Sequence, residues 1–160
     1  MDTTELRAAY AAFLDLARTG TFGSPDQGWD ARHVIAHVAA NDEMLAATTQ
    51  EVIDRSTAEP YYNHDAIDTA RLAALIGDRD VPALADWAQA TGERVCDLAD
   101  ALPEDDGVVV HTHIQDGDET RLDQPVPWHR LIAAQARRHL PAHTEQLQAL
   151  TVAQPPAPSP

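Results

Sequence analysis

Residues 136–150 read ARRHLPAHTEQLQAL, and this stretch decides the fold of the C-terminal part of the chain. His139 and His143 are four positions apart, which is about one turn of an α-helix. Pro141 lies between them, where its ring and its missing N–H oppose a regular helix. Because apolar positions recur in the same phase on both sides of Pro141, we expect a kinked helix here and not an extended break.

The two histidines of this stretch belong to the apolar stripe of the last predicted helix. At about 100° per residue, a set of positions falls within an arc of roughly 80°. They are Ile132, Ala136, His139, His143, Leu147 and Leu150. A long helix predicted over 31–56 likewise places His37 on its apolar arc, and His33 lies one turn earlier near the same face. The helical period therefore predicts that His37, His139 and His143 face the core.

The rest of the sequence predicts helices around one small hairpin. Apolar residues recur at helical spacing over about 3–19, 31–56, 81–102 and 128–150, and a shorter helix is expected over 65–76. The stretches VVVHTHI, QDGD and ETRLDQPV predict a hairpin over 108–126, whereas YYNHDA at 61–66 is expected to be a bend. We therefore expect an all-α domain over 1–151, a four-helix bundle with a small β-hairpin before its last helix. A Pro-rich disordered tail is expected over 152–160.

Composition and charge narrow the classes of function. The chain has 160 residues, 44% of them hydrophobic, and a formal net charge of −15 from 26 acidic residues against 11 arginines. Such an acidic surface repels phosphate backbones and anionic membranes, so we expect no nucleic-acid and no membrane partner. The sequence has no signal-peptide pattern and no apolar run of membrane-spanning length, which predicts a soluble cytoplasmic protein. Cys96 is expected to be a buried thiol.

Three histidines on the inner faces of two helices point to a metal site. Bundles build such sites from inward-facing side chains of different helices, and three neutral imidazoles leave coordination positions open. The alternative is that His37, His139 and His143 are separate core histidines, each with a hydrogen-bond partner. His111 and His113 alternate along the predicted strand and share one face. Two histidines at this spacing can chelate a metal, but we expect an exposed hairpin face.

Two segments carry a family resemblance. GWDARHVIAHVAANDEMLA at 28–46 and RRHLPAHTEQLQAL at 137–150 resemble the second-helix start and the last-helix signature of the DinB-like superfamily. That superfamily includes the N-terminal domain of mycothiol-dependent maleylpyruvate isomerase and the bacillithiol transferases. The resemblance implies a four-helix bundle, often dimeric, over about 3–150. It also implies that His37, His139 and His143 bind a divalent metal, zinc in preference to nickel or another ion.

The resemblance and the histidine set lead to one main hypothesis and one alternative. The first is a divalent-metal-dependent enzyme that uses a low-molecular-weight thiol such as mycothiol for S-transfer to, or isomerisation of, a small electrophilic molecule. The alternative is a non-catalytic small-molecule-binding or dimerisation module, a possible homodimer, on the same fold. Beyond the metal ligands, the pocket candidates are His33, Tyr62, Asn63 and Arg137. Either Arg137 or Arg138 can hold a carboxylate bidentately.

Overall fold

Helices dominate the computed structural model, which describes residues 1–103 and 107–152. The helices are α1 (Thr4–Thr19), α2 (Ala31–Arg55), α3 (His64–Ile67), α4 (Thr69–Ile76), α5 (Val81–Ala101), α6 (Trp128–Ala134) and α7 (Leu140–Ala149). A π-helical segment, Gln135–His139, joins α6 directly to α7. The strands are β1 (Tyr61–Tyr62), β2 (Val109–Asp116) and β3 (Glu119–Pro127). The predicted tail over 152–160 lies outside the described residues, apart from Val152.

The helices α1, α2 and α5 begin and end close to the predicted bounds, because their ends carry readable signals. Asp30 caps α2 by accepting a hydrogen bond from the backbone N–H of His33 at 2.9 Å. Asp80 caps α5 in the same way, with the N–H of Ala83 at 3.0 Å. A carboxylate at this position satisfies an otherwise unpaired N–H and interacts favourably with the helix dipole.

Four helical stretches pack around a shared apolar core. They are α1, α2, α5 and the last stretch, which runs from α6 through the π-helical segment to α7. α2 packs along α5, α1 contacts both α5 and α7, and α2 also contacts α7. The largest fully buried side chains come from these stretches and from α4: Phe13, Ile35, Leu72, Leu84, Trp128, Ile132, Leu140 and Leu147. The described chain is thus mostly helical, and none of its helices is long and apolar enough to cross a membrane.

A three-stranded sheet in the order β1-β2-β3 accompanies the helices. β2 and β3 form the predicted antiparallel hairpin, with Gly117 at a φ of 58° in its turn. The predicted bend is wrong from His64 onward, where α3 begins, and the single helix predicted over 65–76 is divided into α3 and α4 at Asp68. The bend is also wrong at its first two residues, because Tyr61 and Tyr62 form β1, which pairs in parallel with β2. A strand of this length is too short to show the alternation of apolar and polar residues by which strands are recognised.

The last helical stretch continues through Pro141 without an extended break, as predicted. Its irregularity is the π-helical segment, in which the N–H of Leu140 donates to the carbonyl of Gln135, five positions back. One additional residue in a turn shifts the phase of all that follows by about 100°. Leu140, outside the predicted apolar arc, is accordingly fully buried, whereas Leu150 on that arc is only partly buried.

Candidate metal centre

Three histidines from distant parts of the chain meet at one point. His37 lies on α2, His139 ends the π-helical segment, and His143 is one turn further along in α7. One possible ligand nitrogen of each ring lies within 4.8 Å of those of the other two. The Nε2 atoms of His37 and His139 are 3.0 Å apart. The ring centroids are 4.5 to 5.1 Å apart, so the fold brings together the three histidines that the sequence selects.

Hydrogen bonds outside the cluster fix how two of the imidazoles are turned. His37 Nδ1 lies 2.7 Å from the carbonyl oxygen of Ala66 in α3, so this nitrogen carries the proton and donates it. His143 Nδ1 lies 2.9 Å from Gln146 Oε1, which accepts in the same way. The Nε2 atom of each ring is then left unprotonated. Outer hydrogen bonds of this kind orient histidines that bind metals.

Burial keeps the three imidazoles neutral near pH 7. Desolvation, together with the nearby His143, lowers the pKa of His37 to about 4. Desolvation and the other two rings lower the pKa of His139 well below its usual value. Desolvation also lowers the pKa of His143, against opposing effects of Gln146 and Asp116. Since neutral imidazole is the form that binds a metal, no proton has to be displaced.

The arrangement fits a divalent metal ion. Two nitrogens bound tetrahedrally to one zinc ion lie about 3.3 Å apart, and the Nε2 atoms of His37 and His139 are separated by 3.0 Å. Nδ1 of His139 is buried and has no hydrogen-bond partner among the described residues. Among the described residues, the only hydrogen-bond partner of this ring is therefore His37. A buried polar ring in this condition requires an explanation, and a shared ion supplies one.

A cavity of about 460 Å³ lies beside the histidine cluster and has His139 in its wall. Four parts of the fold build it: α2, the segment 61–63, the hairpin and the last helical stretch. Its apolar lining consists of Leu45, Ile114, Leu122, Leu131 and Ala134. Its uncharged polar lining consists of Asn41, Tyr61, Asn63 and Gln135. An apolar cavity with a few polar groups is the usual form of a small-molecule site.

The charge of this cavity is opposite to that of the chain. Arg121 and Arg138 line it and none of the described aspartates or glutamates does, although the net charge of the chain is −15. Arg121 is already paired with Asp116 and Glu119, at 3.0 Å each. Arg138 makes no ion pair with any described residue, so its guanidinium is free to meet an anionic group of a ligand.

Two of the predicted pocket residues, His33 and Tyr62, do not line the cavity. His33 Nδ1 lies 2.8 Å from Asp30 Oδ1, so the side chain belongs to the cap of α2. Tyr62 is 53% exposed, and its ring lies 5.7 Å from that of His113 on the outer face of the sheet.

The other two predicted pocket residues have different positions. Asn63 is buried and lines the cavity, but both polar groups of its side-chain amide already make hydrogen bonds within the protein. Its Nδ2 donates to the carbonyl of Gln115 and its Oδ1 accepts from the N–H of the same residue, at 2.8 Å each. Arg137 is 67% exposed and paired with Glu5 at 2.8 Å, away from the cavity. The sequence did not distinguish Arg137 from Arg138 as the arginine that could hold a carboxylate. In the structure, Arg138 lines the cavity and Arg137 does not.

The hairpin histidines occupy the outer face of the sheet. His111 is exposed, and its Nε2 lies 2.8 Å from Asp123 Oδ1. His113 Nδ1 is 3.4 Å from the same oxygen. The opposite face of β2 carries the buried Thr112. Neither histidine joins His37 in the three-histidine cluster.

Sequence reasoning missed most of the cavity wall. Asn41 follows His37 by four positions, and Gln135 precedes His139 by four. Residues four apart lie on the same face of a helix, so this spacing could have indicated that both side chains lie near the candidate ligands. Tyr61 and the hairpin residues carried no such signal, because only the pairing of β1 with β2 brings them to the site.

A second cavity, of about 480 Å³, lies between α1 and α5 and contains none of the three histidines. Cys96 is among its lining residues and is buried, as predicted. Desolvation raises the pKa of its thiol to about 11. Because reactive cysteines have lowered pKa values, the raised pKa of Cys96 argues against a role as a nucleophile.

The fold and the site together define a mostly helical domain with a histidine cluster compatible with metal binding. The chain belongs to the family of the mycothiol maleylpyruvate isomerase N-terminal domain, whose model matches residues 3–132. The resemblance to the DinB-like superfamily is thereby confirmed. The matched range includes His37 and ends before His139 and His143. Comparisons with curated proteins and with solved structures found no match.

Proposed function

We propose that this protein is a divalent-metal-dependent enzyme that uses a low-molecular-weight thiol, mycothiol or a similar one, to modify a small electrophile. The observation that carries the proposal is that the buried His37 and the half-buried His139 and His143 form a cluster that borders a cavity of suitable size. Membership of a mycothiol-associated family supports the choice of thiol. We further propose that the four long helical stretches form a bundle of the DinB-like type. We assign the reaction to the cytoplasm, where thiols are kept reduced.

In this proposal the three imidazoles hold the metal through their neutral nitrogens. Zinc is the first candidate and nickel the next, because both accept imidazole ligands. When bound, the metal lowers the pKa of a coordinated thiol, so that the thiolate forms at neutral pH. The Ala66 carbonyl and Gln146 keep His37 and His143 oriented throughout.

The cavity then positions the electrophile beside the thiol. In S-transfer, the new sulfur–carbon bond forms while the thiol proton passes to solvent and the leaving group departs with its electron pair. In isomerisation, the sulfur adds to a carbon–carbon double bond, rotation follows, and elimination restores the free thiol. The apolar wall around Leu45 and Leu122 accommodates the carbon skeleton in either case.

We expect Arg138 to bind a carboxylate or similar anionic group of the electrophile. Replacing it by alanine then raises KM for an anionic electrophile by about tenfold, since a partly exposed charge-assisted hydrogen bond contributes roughly 1.5 kcal/mol. The matched control is Arg137→Ala, because Arg137 is exposed and paired with Glu5. The measurement is the steady-state KM of both variants for a carboxylic-acid electrophile and for the neutral amide of the same compound. Equal effects of the two variants would contradict this assignment.

The thiol-dependent reaction itself is tested with the metal-loaded protein. With mycothiol and a small electrophile, such as an unsaturated acid or an epoxide, we expect one of two results. S-transfer accelerates the loss of free thiol, whereas isomerisation converts the electrophile in a thiol-dependent manner and leaves the thiol concentration unchanged. The comparison is with His143→Ala, which removes one imidazole of the cluster. A protein that binds metal and small molecules but neither consumes thiol nor isomerises the electrophile is a binding module instead, and this result would exclude the catalytic proposal.

A further inference from the structure

A second link between α2 and the last helical stretch lies one turn from the histidine cluster. Gln135 opens the π-helical segment that ends at His139. Its side-chain Nε2 donates to Asp42 Oδ1 on α2 at 2.7 Å. Asp42 is 0% exposed and Gln135 is 4% exposed. His37 with His139 and Asp42 with Gln135 are therefore two of the contacts that join these helical stretches.

Neighbouring groups hold the Gln135 amide at its other end. Asn41 Nδ2 lies 3.5 Å from Gln135 Oε1, and Asn41 Oδ1 accepts from the Tyr61 hydroxyl at 2.7 Å. Both ends of the Gln135 amide thus have partners on α2, and these contacts favour one orientation of the side chain. Burial raises the pKa of the Asp42 carboxyl well above its usual value, so it lies in the core as a neutral acid.

The backbone of Gln135 takes part in the π-helical turn, in addition to the contacts of its side chain. Its carbonyl accepts the N–H of Leu140, which is the bond that makes this turn a π-helix. A π-helical turn is rare and locally less favourable than an α-helical one, and it persists where tertiary contacts hold it. The residue that opens the turn is the one bound to Asp42. The residue that closes it is His139.

We propose that the buried hydrogen bond between Asp42 and Gln135 is the positioning link that holds the π-helical turn and thereby aims His139 at His37. Asp42 and Gln135 are positioning residues: neither belongs to the three-histidine cluster. The inference rests on the metal centre proposed above. Loss of the link lets the turn relax towards a regular α-helix, which rotates α7 relative to α6 by up to about 100° and separates the imidazoles.

The test compares variants of these two residues in the full-length protein, titrated with zinc and with cobalt(II). We expect Asp42→Leu and Gln135→Leu to weaken zinc affinity by about 10- to 100-fold, the range for groups that orient metal ligands. We expect the ligand-field spectrum of the cobalt(II) form to change as well. Asp42→Asn keeps a carbonyl oxygen for Gln135 and the neutral state of the group, so it should restore both affinity and spectrum.

A matched control separates positioning from general stability. Thr49→Val removes another buried hydrogen bond between α2 and α6, that of Trp128 Nε1 to Thr49 Oγ1 at 3.0 Å. It should lower the melting temperature and leave the cobalt(II) spectrum unchanged. The proposal is overturned if Asp42→Leu and Gln135→Leu keep the wild-type affinity and spectrum, or if Thr49→Val reproduces their losses.

A metal-free measurement keeps this inference distinct from the proposed function. Nuclear Overhauser contacts between the His37 and His139 rings are expected in the metal-free wild type and in Thr49→Val, and should be lost in Gln135→Leu. A wild type that binds no zinc or cobalt overturns the proposed function alone, and the ring contacts then decide on the link. Ring contacts that survive in Gln135→Leu overturn the link alone.

Discussion

His37→Ala and His143→Ala will lose the near-stoichiometric divalent metal that we expect in the untagged wild-type protein. Each substitution removes one of three imidazoles whose nitrogens lie within 4.8 Å of one another. Loss of a ligand costs more than loss of an orienting group, so the affinity should fall by more than about 100-fold. Mass spectrometry of the purified proteins measures the metal content directly, and equilibrium titration with zinc measures the affinity.

The control for this prediction is a histidine outside the cluster. His111→Ala removes an exposed imidazole of the hairpin that is paired with Asp123, and it should retain the full metal content. A wild type that contains no metal and takes up neither zinc nor nickel on addition would contradict the prediction and remove the basis of the enzyme proposal. Metal lost equally in His111→Ala would point to binding at the protein surface.

The metal-free protein will become less stable as the pH falls from about 6.5 towards 4 through the contribution of His37. The ordinary pKa of this group is 6.5 and its folded value is about 4. Between these values the unfolded chain binds a proton that the folded protein excludes, so the free energy of unfolding decreases by about 3 kcal/mol over this window. His139 and His143, whose pKa values are also lowered, act in the same direction.

Asp42 acts in the opposite direction and must be separated from the histidines. Its pKa is raised by burial, so the folded protein retains a proton that the unfolded chain has lost, and this contribution grows as the pH falls. The difference between wild type and His37→Gln removes the Asp42 term, since both proteins contain it. Urea unfolding at several pH values should show the wild type losing stability relative to His37→Gln below pH 6.5. Parallel curves would contradict the assignment.

The periodic part of this structure could be predicted from the sequence alone. Helices α1, α2 and α5 follow from repeated apolar spacing and from caps such as Asp30, and the hairpin follows from the alternation around His111 and its turn. The histidine cluster was also accessible, because the helical period shows that His37 and His139 face inward even though they are about 100 positions apart.

The rest depends on long-range contacts that a local pattern does not record. β1 exists only because β2 lies beside Tyr61. Adjacent residues on a helix point about 100° apart, so only one of Arg137 and Arg138 can face the cavity. Both lie in the π-helical turn, which a local pattern does not reveal, and so the sequence could not show which one it is. The sequence around Asp42 is typical of a solvated residue, whereas the structure buries Asp42 completely and bonds it to Gln135.

The π-helical turn also makes chain length a determinant of the candidate centre. A single-residue deletion among residues 133–138 would keep both histidines of the last helix, their spacing and every neighbouring residue type after them. It would remove the additional residue that the π-helical turn accommodates, so a regular α-helix would then hold α7 near its present phase relative to α6. A regular α-helix of the undeleted length would instead turn α7 by about 100°. Two proteins with the same His-x-x-x-His sequence can therefore differ in whether its imidazoles reach α2. In aligning related chains, the number of residues between Trp128 and His139 is as informative as the histidines themselves.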